Sequence, residues 1–157
     1  MRITICLVAL ILMISGCSST NEEPVDNTIV VINKNQQVQE IPFESRLGQA
    51  MLVFEGSGVD CIILVRGLKP KGTYTISLVG DNGDSPGVRF GPKENLKLRV
   101  GTLTDETNFT PNSEGEIFVS MRMPITILEG SKEMFFQINS TRDKEIMRTT
   151  SFAVQKR

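Results

Sequence analysis

Tyr74-Thr75-Ile76-Ser77-Leu78-Val79, followed at once by Gly80-Asp81-Asn82-Gly83-Asp84, is the stretch on which the fold turns. A short run rich in β-branched and aromatic residues, closed by glycine, asparagine and aspartate, reads as a strand and its turn. The same unit recurs along the chain. Candidate strands are Thr28–Ile32, Ala50–Phe54, Asp60–Arg66, Tyr74–Val79, Leu96–Val100, Glu116–Met121, Pro124–Leu128, Glu133–Ile138 and Arg148–Val154. Gly56-Ser57-Gly58, Asn112-Ser113-Glu114-Gly115 and Glu129-Gly130-Ser131 supply further turns. No segment sustains a helical apolar period with caps. Eight or nine strands at this spacing predict an all-β antiparallel sandwich or flattened barrel.

Residues 28–157 have the length of one domain, enough to bury roughly two-thirds of the unfolded surface. A hydrophobic share of 39% and the lack of a long low-complexity tract predict a folded globule. Lysine and arginine number 17 against 18 acids, a balance that does not favour nucleic acid as a partner. Leu68-Lys69-Pro70-Lys71-Gly72-Thr73-Tyr74 fits the L-x-P-x-x-x-Y pattern around the tyrosine corner of fibronectin-type sandwiches. About eighty residues follow it, more than the two strands that fold would have left, so it is read as a strand-entry turn.

The N-terminus carries a different signal. Arg2 precedes an apolar run, Ile3–Met13, too short to span a bilayer comfortably but suited to a secretion signal. Ile14-Ser15-Gly16-Cys17 resembles the bacterial lipobox. That resemblance implies removal of residues 1–16 and lipidation of Cys17 with at least two chains, palmitate among them, since one chain anchors only marginally. The expected partner is therefore a membrane, and the expected location is the cell envelope. Ser18 rather than aspartate after the cysteine favours the outer membrane or cell surface where the host has two membranes. Residues 17–27 are polar with one proline and read as a flexible tether. Without residues 1–16, Arg2 is lost and the net charge becomes −2. Cys6 leaves with the signal and Cys17 is acylated, so Cys61 has no disulfide partner. In Val59-Asp60-Cys61-Ile62-Ile63-Leu64-Val65 it is expected to be a buried, inert thiol.

Across residues 58–139 the order of short motifs resembles the copper/zinc superoxide dismutase family. Gly67-Leu68 stands where that family has its G-L-x-x-G turn, and Tyr74–Asp81 where it has F-H-V-H-x-x-G-D. Gly87-Val88-Arg89-Phe90-Gly91-Pro92 matches G-P-H-F-N-P, and Arg99-Val100-Gly101-Thr102-Leu103 matches H-V-G-D-L. Asn112-Ser113-Glu114-Gly115 then ends a loop where D-x-x-G stands, Ile125-Thr126-Ile127-Leu128 matches an I-S-L strand, Met134-Phe135-Phe136-Gln137 aligns with M-V-V-H, and Arg148–Ala153 with R-L-A-C-G-V. The resemblance implies an eight-stranded Greek-key sandwich with a copper and a zinc site.

The sequence has no histidine, whereas the family binds its metals mainly through that residue. Carried over, the first two copper ligands fall on Thr75 and Ser77, the bridging ligand on Arg89 and the last copper ligand on Gln137. One zinc ligand falls on Arg99 and the zinc aspartate on Thr102. Hydroxyls and an amide hold copper poorly, and a guanidinium puts a fixed positive charge where a cation would sit. Arg148 matches the anion-guiding arginine, which with Arg89 makes a candidate anion-binding pair.

Other signals are bland. Asp81-Asn82-Gly83-Asp84 lacks the spacing and the terminal glutamate of a calcium loop. Arg89, Lys93, Lys97 and Arg99 read as a solvated rim or an anion-binding patch. The expected function is noncatalytic: a lipid-anchored binding module without cofactor. A divergent dismutase-family enzyme, an immunoglobulin- or fibronectin-like envelope domain and an envelope spacer are the alternatives.

Overall fold

The computed structural model describes residues 29–33, 36–80, 87–129, 131–142 and 146–154. The expected lipobox Ile14–Cys17, the expected tether at 17–27 and the expected turn Asp81–Asp84 lie outside the described residues. Twelve strands are present among those described: β1 Ile29–Asn33, β2 Gln36–Pro42, β3 Gly48–Glu55, β4 Gly58–Val65, β5 Tyr74–Gly80, β6 Val88–Arg89, β7 Leu96–Val100, β8 Thr102–Leu103, β9 Asn108–Thr110, β10 Ile117–Pro124, β11 Met134–Ser140 and β12 Ile146–Arg148.

They form two antiparallel sheets. The first runs β1-β2-β3-β4-β10-β7 and the second β12-β11-β5-β9-β8, with β6 also paired to β5. The all-β expectation holds. The flattened-barrel alternative does not, because the two sheets stay open, and the strands outnumber the eight or nine expected.

Alternation places the core. Strand β4 reads strictly half-buried, buried, with Val59, Cys61, Ile63 and Val65 turned inward. The facing strands supply Tyr74, Ile76 and Leu78 from β5 and Met134, Phe136 and Ile138 from β11. One sheet face packed and one solvated is the pattern an antiparallel sandwich needs. The Tyr74 hydroxyl accepts a hydrogen bond from the Lys69 backbone N–H at 2.9 Å. The turn at Leu68–Tyr74 is thus locked onto the first residue of β5.

Two sequence-based strands are corrected. Pro124–Leu128 is no strand: β10 ends at Pro124, and Ile125–Ile127 make a single 3-10 turn instead. The Ile125 N–H donates to the Ser57 carbonyl, which draws the chain off the sheet. Arg148–Val154 is largely irregular, since β12 stops at Arg148. Beyond it the backbone is shared between the sheets: Thr149 N–H bonds to Phe136, Thr150 N–H to Pro42, and Phe152 to Met134. Such isolated bridges hold the segment without extending a ladder.

Candidate functional site

Register brings four of the singled-out residues into one row. Ser77 on β5 is the partner of Arg89 on β6 and of Gln137 on β11, and Gln137 is the partner of Arg148 on β12. Directly opposed residues in an antiparallel sheet point to the same face, with Cβ atoms about 5 Å apart. Since Ile76, Leu78, Phe136 and Ile138 face the core, the row lies on the outer face of the second sheet. Thr75 and its partner Asn139 lie on the same face, one step along.

The row is polar throughout. Ser77 is only 3% exposed although it faces outward. Gln137 Nε2 donates to Asn139 Oδ1 at 2.7 Å. Arg148 is held at one end: its Nε donates to Glu44 at 2.8 Å, and its guanidinium lies 5.9 Å from the Phe135 ring centroid. Beside it a shallow recess of about 230 Å³ is lined by Gly80, Glu133, Phe135, Arg148, Thr149 and Ser151. Sequence reasoning passed over Glu44, Phe135 and Asn139. Period-two spacing from Gln137 would have placed Phe135 and Asn139 on its face, whereas Glu44 is far off in sequence.

Arg99 and Thr102, the zinc positions of the resemblance, stand elsewhere. Arg99 is on β7 at the edge of the first sheet, 5.7 Å from the centroid of Phe118. Thr102 is exposed on β8, opposite Thr110. The donors gathered in the row are two hydroxyls, an amide and guanidinium groups, which do not fit copper or zinc. No group of three or more potential acidic, thiol or imidazole ligands occurs among the described residues.

Titration shifts lie off this row. Three hydrogen bonds from Thr107 and Asn108 to the Asp105 carboxylate hold its pKa below the ordinary range and tie the β8–β9 turn. Burial, reinforced by the Asp60 charge, pushes the Cys61 thiol well up. Cys61 is fully buried in the core as expected. It is expected to resist a thiol reagent at neutral pH in the native state and to react fully in denaturant, measured by released chromophore; fast native labelling would contradict its burial.

No family model, curated protein or solved structure matches the chain. No helix among the described residues is long and apolar enough to cross a membrane.

Proposed function

We propose that the chain is an exported bacterial lipoprotein, anchored through lipid on Cys17, whose superoxide-dismutase-like sandwich binds a partner in the envelope rather than catalysing a reaction. The observation that carries the sandwich reading is the row Arg89–Ser77–Gln137–Arg148. These positions come from four separate stretches of chain, and the resemblance assigns them to one site. Finding these four side by side supports common descent with the ligands replaced, while the zinc positions Arg99 and Thr102 lie apart from them. The strand order adds support. Strand β10 returns beside β4 and β11 beside β5 after long excursions, as Greek-key connections do. The anchor reading is supported by Ile14-Ser15-Gly16-Cys17 behind an apolar run.

Each part has its own test. In a bacterium fed an alkyne-bearing fatty acid, the chain is expected to take up label and Cys17→Ser to lose it. An unlabelled wild type would end the anchor reading. Copper titration of the purified chain, with superoxide consumption measured on the same sample, is expected to show no stoichiometric binding and no activity above free buffer. Tight copper with activity would return the chain to the divergent dismutases.

A further inference from the structure

Arg89, Lys93, Lys97 and Arg99 place four exposed cations within eleven residues. Elsewhere Arg66 pairs with Glu116, Arg122 with Glu55 and Asp60, and Arg148 with Glu44. Arg89, Lys93 and Lys97 make no ion pair with a described residue. Lys97 and Arg99 sit on β7, an edge strand of the first sheet.

The outer face of that sheet continues from them as an apolar surface. Val100 is the partner of Phe118, which is the partner of Leu64; Met51 is the partner of Ile62 in the next row. All five are half-buried, while their neighbours Leu52, Ile63 and Val119 fill the core. Of the acids on and beside this face, Glu55 and Asp60 share Arg122 and Glu116 pairs with Arg66, whereas Glu40, opposite Met51, is held by the neutral Gln49 amide and Glu94 stands between Lys93 and Lys97 in the sequence. The positive charge of this apolar surface is concentrated at its β7 edge, on Lys97 and Arg99.

We propose that this face rests on an anionic lipid surface, with Lys97 and Arg99 among the headgroups and Phe118, Leu64, Ile62 and Met51 toward the acyl boundary. The inference deepens the anchored reading and rests on it. Basic residues beside an apolar patch give interfacial binding by attraction to anionic lipid plus apolar burial. The chain geometry permits it. The tether, residues 17–27, reaches at most roughly 40 Å when extended. It leads into β1, the opposite edge of the same sheet. Six strands span about 24 Å between their outer axes, so a lipid on Cys17 leaves the whole face within reach of the bilayer.

The test uses the lipid-modified chain from a bacterial host, carrying a single added cysteine, Ser120→Cys on this face or Thr75→Cys on the second sheet. Each is labelled with an environment-sensitive fluorophore and mixed with vesicles containing spin-labelled quencher lipid. The Ser120→Cys label is expected to be quenched on phosphatidylglycerol vesicles and spared on phosphatidylcholine; the Thr75→Cys label is spared on both. Lys97→Glu with Arg99→Glu is expected to remove most of the quenching on phosphatidylglycerol vesicles while the chain still floats with them, and molar salt to do the same without mutation. A chain that floats with vesicles while Ser120→Cys stays unquenched, or is quenched no more than Thr75→Cys, overturns the proposal and leaves the anchor standing. A chain that fails to float overturns the anchor and this inference together.

Discussion

Phe136→Ala is expected to lower the melting temperature by roughly 10–15 °C. Phe136 sits mid-strand in β11 with no exposed surface. Its ring stacks on Phe152 at 5.6 Å and meets Phe90 edge-on at 6.1 Å. Removing a buried phenylalanine costs about 3–5 kcal/mol, partly through the cavity left behind. Here the cavity cannot close cheaply. Phe90 is tied by its N–H to the Ile76 carbonyl, and Phe152 exchanges two backbone bonds with Met134. At this chain size about 1 kcal/mol shifts the midpoint by about 2–4 °C. Phe135 is the control: one residue away, it points outward beneath Arg148 and is half-buried. Phe135→Ala is expected to cost about 1 kcal/mol or less. Thermal melts followed by circular dichroism compare the two; equal losses would mean that the inward–outward alternation of β11 is misassigned.

That alternation is what the sequence made legible. Strand β7 has the bounds its residues predict, Leu96–Val100, and β5 runs one residue past the predicted Tyr74–Val79. Strand β2 was invisible because Gln36-Gln37-Val38-Gln39-Glu40-Ile41-Pro42 has poor strand propensity. It is a strand because six of its residues pair along β3, which gives Ile41 and Phe43 a core to enter. The reverse error at Ile125-Thr126-Ile127 has the same root. These are good strand formers, but the backbone bond to Ser57 turns them away from any partner. The candidate site was legible residue by residue and not as an arrangement. Thr75, Ser77 and Gln137 carried period-two information, whereas the neighbourhood of Arg89, Ser77, Gln137 and Arg148 is a property of register between four strands. Single-chain spacing does not contain it, and the same holds for the Glu44–Arg148 pair across 104 residues.

Gly115→Ala tests a junction that register alone does not reveal. Gly115 has φ +78°, a conformation costing a side-chain-bearing residue about 1–2 kcal/mol. A Cβ built there would lie 2.2 Å from the Leu68 carbonyl oxygen. That oxygen has little freedom, because the Leu68 N–H donates to the Gly115 carbonyl at 3.0 Å and the Leu68 side chain is buried. The turn around Gly115 is rigid as well: Asn112 Oδ1 accepts from the Glu114 and Glu116 N–H groups, and the Gly115 N–H donates to the Asn112 carbonyl. Alanine must therefore break the Leu68–Gly115 bond or strain the turn, at a total of about 3 kcal/mol or more. Gly56 isolates the dihedral contribution, for its φ is +60° and a Cβ would meet nothing within 4 Å. Gly56→Ala is expected to cost about 1 kcal/mol. Denaturant midpoints of the two variants give the difference directly. Because Leu68 lies three residues past β4 and Gly115 two before β10, strands paired up to Val65 and Ile117, the excess cost at Gly115 measures how firmly the two loops are held at the end of that pairing. A pair of equal losses would show the two loops meeting loosely beyond the end of the β4–β10 pairing.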